Sequence, residues 1–274
     1  MTTQKLSFIG AGNMASAIFG GLIDSGYPAD HITATSPDQG QLDALKERYA
    51  INTTTDNAQA VRDADVVVLA IKPQIMKDVC APLAEHLSHK PVIVSVAAGL
   101  KVDTLDHWLG GGHAIIRCMP NTPALVGEGA SGLYANARVG AEQRETATRL
   151  LEAVGIVEWV EEESLLDAVT AVSGSGPAYF FLILEALEAA GVNRGLPLEI
   201  ARRLAIQTAF GAAKMARDSD QDPAQLKRNV MSPKGTTEQA VFSFENAGIK
   251  AMFDDATRAC AERASDMSDE FGSL

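Results

Sequence analysis

The feature that most constrains this chain is a glycine-rich turn near its start. The segment Gly10-Ala11-Gly12-Asn13-Met14-Ala15 follows a short apolar run at residues 5–9 and opens a helical pattern. In that context Gly10 permits a tight turn, Gly12 lets the backbone approach a pyrophosphate, and Ala15 keeps helix and strand close. The start of the helix adds amide donors and positive potential. The segment therefore predicts a dinucleotide site at the edge of an α/β sheet.

Apolar, β-branched runs alternate with helical patterns through the first part of the chain. We expect strands at 5–9, 31–35, 65–71, 91–96 and 114–118, with helices at 14–25, 41–49, 73–86 and 102–109. This alternation implies βαβ units with right-handed crossovers. The fold class is therefore α/β, with an N-terminal Rossmann-like doubly wound sheet.

The pattern changes after the acidic run at residues 161–163. Helical periodicity covers about 165–173, 177–191, 197–217, 222–230, 235–246 and 249–270, and we predict no strand there. The sequence thus predicts a dinucleotide-binding domain over 1–162 and an all-helical domain over 163–274. The stretch Ala178–Leu184 is apolar nearly all round its helix and must be buried. It forms either the core of the helical domain or a dimer interface.

Charge and composition exclude several classes of protein. A net charge of −12 argues against a nucleic-acid groove, which needs clustered Lys and Arg. Residues 1–5 lack the apolar stretch of a signal peptide, and the longest apolar run is shorter than the roughly 20 residues that span a bilayer. We therefore expect a cytoplasmic protein without a membrane span. With three dispersed cysteines and no HExxH or GxSxG motif, we expect no metal site and no acyl transfer.

The end of the second predicted strand bears on the choice of cofactor. NAD enzymes usually carry an acid there to bind the ribose 2′-hydroxyl, whereas this chain has Thr35 and Ser36. Hydroxyls and backbone amides can accept a 2′-phosphate, so NADPH is favoured and NADH stays open. Asn57 begins a predicted helix, where it serves either as a cap or as a contact to the adenosine end.

A second segment, Ser232-Pro233-Lys234-Gly235-Thr236-Thr237, leads into a predicted helix. Hydroxyl residues, a proline and a glycine at a helix start present unpaired amides in a concave turn. Such a turn suits a carboxylate. The alternative is an ordinary helix cap, and the two threonines favour binding.

These segments together resemble the pyrroline-5-carboxylate reductase family over essentially the whole chain. The matching segments are Gly10–Ala15, Ile71–Gln74, Met119–Pro123, Val172–Tyr179 and Ser232–Thr237. The first three also occur loosely in related two-domain dehydrogenases, and the last two are more specific. The resemblance implies NAD(P)H-dependent reduction of L-1-pyrroline-5-carboxylate to L-proline, the last step of proline biosynthesis, by hydride transfer to a cyclic imine.

The resemblance also implies roles for individual residues. The substrate contacts would be Ser232, Lys234, Gly235, Thr236 and Thr237, with Thr237 as the catalytic residue that orients the ring nitrogen. The cofactor contacts would be Gly10, Ala11, Gly12, Asn13, Met14, Thr35, Ser36, Asn57, Ala70, Lys72, Pro73 and Ala97. The helical domain would form a homodimer, with a decamer of dimers as the larger assembly.

One residue departs from the family pattern. The signature usually reads Ser-Pro-Gly-Gly, and Lys234 stands in the third place here. A glycine there would suit a positive φ, which lysine tolerates poorly. We expect Lys234 to project into solvent from the first helical turn.

Two other functions are consistent with parts of the sequence. A dehydrogenase of β-hydroxy acids would need a lysine on the first long helix of the second domain, and none occurs between Pro177 and Ala190. A nucleotide-binding regulatory protein would not need the Ser232–Thr237 segment.

Overall fold

The computed structural model describes residues 3–273, so Met1, Thr2 and Leu274 lie outside it. The chain forms two compact units. The first comprises the residues up to Ser175 together with those from Ala259 onward, and the second comprises Gly176–Arg258. The predicted division between 1–162 and 163–274 stays a prediction, and the two units are described separately.

The first unit is built on a single sheet of eight strands within residues 3–273. The strands are β1 (Leu6–Ile9), β2 (Ile32–Thr35), β3 (Asn52–Thr54), β4 (Val66–Leu69), β5 (Val92–Ser95), β6 (Ile115–Met119), β7 (Gly129–Ala135) and β8 (Gly155–Trp159). Their order is β3-β2-β1-β4-β5-β6-β7-β8, and every neighbouring pair is parallel except β6 and β7. This order confirms the predicted doubly wound fold.

The helices follow the predicted pattern closely in the second half of the chain. They are α1 (Asn13–Asp24), α2 (Gln39–Tyr49), α3 (Asn57–Val61), α4 (Met76–Leu83), α5 (Val102–Trp108), α6 (Ala141–Glu152), α7 (Leu165–Val169), α8 (Gly176–Val192), α9 (Leu198–Arg217), α10 (Pro223–Val230), α11 (Thr236–Asn246) and α12 (Ile249–Gly272). A π-helical turn at Thr170–Gly174 joins α7 to α8. No strand follows Trp159 within the described residues, as predicted.

Several elements differ from the sequence prediction. Strands β3, β7 and β8 and helix α6 were not predicted, because β3 has three polar residues, β7 is rich in small residues and β8 is only half buried. The helix predicted from Pro73 to about His86 is divided into a 3₁₀ turn at Pro73–Ile75, α4, and a second 3₁₀ turn at Ala84–His86. Pro82, inside α4, lacks the amide hydrogen that would continue the helical bonding.

The sheet has an apolar core on each face. Neighbouring residues of β1 point to opposite sides, so fully buried Phe8 and Ile9 belong to different cores. Phe8 meets Phe19 of α1 edge to face, with ring centroids 5.4 Å apart. Burial on both faces explains the continuous apolar runs of these strands.

In the helical unit, α8 and α9 form a close hairpin. A Cβ at Gly191 would lie 3.0 Å from the Ala201 side chain, so small residues set this approach. Phe180, Phe181 and Leu182 of α8 nevertheless keep 64%, 65% and 65% of their surface exposed in the single chain. The interpretation of Ala178–Leu184 as a core segment is therefore wrong, because the helical unit of one chain does not cover it.

The apolar stretch also belongs to a longer helical segment than its composition suggested. Leu165–Asn193, 29 residues with a mean hydropathy of 1.2 over its most apolar window, is long and apolar enough to cross a membrane on length and composition alone. The uninterrupted apolar run within it is by itself too short to span a bilayer. The same test is passed by an apolar helix that packs against protein, so it does not by itself identify a membrane span.

Candidate active site

The carboxyl ends of the parallel strands place the predicted cofactor residues along one edge of the sheet. Strand β1 lies between β2 and β4, so the strand order reverses at β1. In doubly wound folds a ligand binds in the crevice at this reversal. Gly10 follows β1, Ala70 and Lys72 follow β4, and Ala97 follows β5. The fold thus brings these residues to one crevice.

The glycine turn has the geometry that a dinucleotide needs. Gly10 adopts φ +99°, and a Cβ there would lie 2.5 Å from the Ala70 carbonyl oxygen, so only glycine fits. Gly12 is the N-terminal cap of α1, and a Cβ there would point into open space. No side chain of residues 3–273 caps α1, which leaves its first amides to an outside acceptor. These observations fit a pyrophosphate at the start of α1.

The remaining residues of the turn secure it against the sheet. Ala15 is fully buried, and Met14 packs partly buried against the same core. The Ala11 carbonyl accepts a hydrogen bond from Gln41 Nε2 at 2.8 Å. Asn13 is exposed at the first position of α1. The turn is therefore fixed on its inner side and open on its outer side.

The hydroxyls of Thr35 and Ser36 were expected to face a 2′-phosphate, but both form hydrogen bonds within the protein. Both residues are buried, with 1% and 8% of their surface exposed. Thr35 Oγ1 accepts a hydrogen bond from the Gly10 amide at 3.2 Å, and the Ser36 hydroxyl donates to Gln41 Oε1 at 2.7 Å. Their hydroxyls thus hold the turn and the start of α2.

The other predicted cofactor residues lie at the starts of helices or beside a cavity. Asp56, and not Asn57, caps α3, since its side chain accepts the Gln59 amide. The capping role considered for Asn57 is therefore wrong. Lys72 precedes the 3₁₀ turn that Pro73 begins. Ala97 is buried and lines a small cavity together with Met119 and Met267.

The predicted substrate segment forms a tight turn in the helical unit. The Gly235 amide donates to the Ser232 carbonyl at 2.9 Å, which closes a four-residue turn with Pro233 in its second place. Lys234 adopts φ +58°, the left-handed conformation that the third place of a type II turn requires. This is where the family signature carries glycine, so the structure gives the physical reason for that glycine.

Lys234 is exposed, but it precedes α11 instead of lying in its first turn as expected. Its amide donates to the Glu238 carboxylate at 2.8 Å, because the positive φ turns that amide toward the helix. A Cβ at Gly235 would lie 2.3 Å from Ser232 Oγ, so the turn needs glycine there as well.

Thr236 and Thr237 are the first two residues of α11. Gly235 precedes them as the cap and supplies no side-chain acceptor, and no other side chain within residues 3–273 caps this helix. The first amides of α11 are thus oriented to bind an anion, next to the threonine hydroxyls.

A buried ion pair that the sequence did not predict lies near the carboxyl ends of the strands, where the predicted cofactor residues also lie. Arg117 of β6 donates to Glu163 Oε1 at 2.8 Å, with the Arg117 side chain 9% exposed. The same carboxylate oxygen accepts the Val102 amide at 2.8 Å. Glu163 was interpreted only as part of an acidic domain boundary. The one sign of this ion pair in the sequence was Arg117, an arginine inside an otherwise apolar strand.

Comparisons with known proteins cover the whole chain. A family model described as pyrroline-5-carboxylate reductase dimerisation matches residues 163–267. A second model, described as NADP oxidoreductase coenzyme F420-dependent, matches residues 5–99. The pyrroline-5-carboxylate reductase of Pseudomonas aeruginosa is 51% identical over 272 residues, which are 99% of this chain and 100% of the relative.

Solved structures give the same result. A pyrroline-5-carboxylate reductase from Coxiella burnetii has 44% identity and a TM-score of 0.95, covering 97% of this chain and 99% of that one. The Plasmodium falciparum pyrroline carboxylate reductase, solved with NADP bound, has 32% identity and a TM-score of 0.85, covering 98% and 99%. With its full length, its fold and its dimerisation segment all matched, this chain belongs to the pyrroline-5-carboxylate reductase family.

Proposed function

We propose that this protein reduces L-1-pyrroline-5-carboxylate to L-proline with NADPH, the last step of proline biosynthesis. The observation that carries the proposal is the turn before α11. Its left-handed Lys234 and its uncapped helix start form a carboxylate site in the segment that defines the family. The N-terminus of α1 suits the cofactor's pyrophosphate, because no side chain within residues 3–273 caps it and a Cβ at Gly12 would point into open space.

The chemistry needs positioning more than reactive side chains. When bound, the cofactor supplies the hydride that the imine carbon accepts. The amides of Thr236 and Thr237 hold the substrate carboxylate, with Ser232, Lys234 and Gly235 shaping the turn. The Thr237 hydroxyl orients the ring nitrogen. Protonation at that nitrogen makes the imine carbon electrophilic, so the reaction needs no nucleophilic side chain. Positioning of the substrate against the cofactor therefore provides most of the acceleration.

The cofactor residues divide into two groups. Gly10, Ala11, Gly12, Asn13 and Met14 hold the pyrophosphate, and Ala70, Lys72, Pro73 and Ala97 line the ribose and nicotinamide side. Asn57 contacts the adenosine end. Thr35 and Ser36 act through the turn that they support. Preference for NADPH over NADH follows from the lack of an acid at the end of β2.

The helical unit forms a homodimer. Residues 176–258 contain ten basic and ten acidic residues, so their formal net charge is zero. The net charge of −12 therefore comes entirely from the residues of the first unit. A neutral unit that exposes Phe180, Phe181 and Leu182 can meet a second copy without charge repulsion. A decamer of dimers in the cytoplasm is the larger assembly and location that we propose.

Steady-state oxidation of NADPH and NADH in the presence of pyrroline-5-carboxylate tests the reaction. We expect turnover with both, and a higher kcat/KM with NADPH. Thr237→Ala should lower kcat/KM and leave the Kd of NADPH unchanged. An absence of turnover with either cofactor would refute the proposal, and a collapse of NADPH affinity in Thr237→Ala would refute the role of Thr237.

A further inference from the structure

A small cavity lies behind the segment that follows β5. It has a volume of about 50 Å³ and is lined by Ala97, Arg117, Met119, Asp167 and Met267, among others. That volume suffices for one or a few water molecules. Because Ala97 follows β5 on the proposed nicotinamide side, Asp167 and Arg117 line a cavity next to the proposed ring site.

Asp167 belongs to a cluster of five charged side chains with one carboxylate in excess. Arg117 pairs with Glu163 at 2.8 Å, and Lys101 pairs with Asp269 at 2.7 Å. Both cations of the cluster therefore already have a carboxylate partner. Asp167 forms no ion pair within the described part of the chain, residues 3–273.

The surroundings of Asp167 oppose its charge. Burial raises the pKa of its carboxyl group above the ordinary value, and the charges of Glu163 and Asp269 act in the same direction. The charges of Arg117 and Lys101 lower that pKa and offset part of the effect. The fold thus keeps an ionisable group in a position that disfavours its ionisation, as is common at functional sites.

We propose that the Asp167 carboxylate acts across this cavity to stabilise the positive charge that the nicotinamide ring acquires when it gives up a hydride. The inference rests on the cofactor placement in the proposed function. The reduced ring is neutral and the oxidised ring is a cation, while the hydride with its electron pair moves to the imine carbon. A fixed negative charge near the ring therefore lowers the energy of the oxidised form selectively.

The equilibrium affinities of the two cofactor forms test this inference without turnover. In Asp167→Asn at neutral pH, we expect NADP⁺ to bind roughly three- to tenfold more weakly, with little change for NADPH. In the wild type, the Kd of NADP⁺ relative to NADPH should rise as the pH is lowered and Asp167 becomes protonated, and the raised pKa of this carboxyl group moves that rise to a higher pH than for an ordinary aspartate. The 2′-phosphate is common to both forms, so its titration cancels in the ratio.

Glu162→Gln is the matched control, because it removes the same charge from an exposed position five residues away. It should leave the ratio and its pH dependence unchanged. Equal weakening of both cofactor forms in Asp167→Asn, or an unchanged ratio, would overturn the inference alone. A wild-type protein that binds neither form would overturn the proposed function and this inference together.

Discussion

The backbone amide of Gly10 donates a hydrogen bond to Thr35 Oγ1 over 3.2 Å, which ties the glycine turn after β1 to the end of β2. Gly10 sits at φ +99°, so its amide points away from the ordinary ladder direction and needs a partner outside it. Thr35 is 1% exposed, and water therefore cannot replace it as the acceptor. The hydroxyl expected to face the cofactor instead fixes the glycine turn.

Removal of this hydroxyl should damage both stability and cofactor binding. In Thr35→Val, we expect the free energy of unfolding to fall by about 1–3 kcal/mol, because the Gly10 amide loses its buried acceptor. The Kd of NADPH should rise several-fold as the turn loosens. Urea unfolding and fluorescence titration measure the two effects. Thr35→Ser, which keeps the hydroxyl, is the control, and equal NADPH affinity in both variants would contradict this role.

Lys234 adopts a backbone conformation that suits glycine, so its replacement should stabilise the protein. The left-handed region costs a residue with a Cβ roughly 1–2 kcal/mol, part of which is offset by the greater freedom of glycine in the unfolded chain. We expect Lys234→Gly to raise the free energy of unfolding by about 0.5–1 kcal/mol. Thermal unfolding at fixed protein concentration measures the gain.

Lys234→Ala separates backbone strain from charge, because it keeps the Cβ and removes the ammonium group. This variant should show no gain in stability. Since Lys234 is exposed, both variants should keep the wild-type KM for pyrroline-5-carboxylate. A KM that rises equally in both would instead show that the ammonium group contributes to carboxylate binding.

Features that mark the residue type locally could be predicted from the sequence, and features that depend on tertiary contacts could not. Gly10 and the buried strands were predictable, because a positive φ and two-sided burial both leave a direct mark on residue type. The hydrogen bond between Gly10 and Thr35 was not, because it joins residues 25 positions apart through a tertiary contact. The positive φ of Lys234 was suggested only by the glycine that relatives carry at that place.

Strand β7 shows a second reason for failure. Its small residues are selected by close neighbours, as at Gly132, where a Cβ would lie 2.5 Å from the Val169 side chain. Such packing overrides the β-branched pattern by which strands are recognised. The charge excess around Asp167 was equally hidden, since Lys101, Arg117 and Asp269 come from separate elements.

The exposed apolar face of α8 predicts an association that one charge can disrupt. Phe180→Asp places a carboxylate where 64% of an aromatic side chain is exposed in the single chain, and twice in a symmetric dimer. We expect this variant to be monomeric at concentrations where the wild type is dimeric, as measured by sedimentation velocity. Ala44→Asp, on the exposed face of α2, adds the same charge and should leave the dimer intact. A dimeric Phe180→Asp would place the interface elsewhere.

Asp167 should make the stability of the protein depend on pH in a direction unusual for a carboxyl group. Its pKa is raised in the folded state, mainly by burial, so the folded protein binds this proton more tightly than the unfolded chain does. Its contribution to stability is therefore fully present below the unfolded pKa and is lost as pH rises through the folded pKa. Asp167→Asn removes this loss.

The variant should consequently equal the wild type in acid and exceed it in stability at neutral pH. Urea unfolding of both proteins between about pH 4 and about pH 8, at one protomer concentration, measures the difference. Glu162→Gln should show no such dependence on pH. A wild type that is more stable than Asp167→Asn at neutral pH would contradict the expectation, because it would mean that the ionised carboxylate has a stabilising partner. The expected result would show that the fold holds the Asp167 charge next to the cavity beside Ala97, although this charge lowers the stability of the protein.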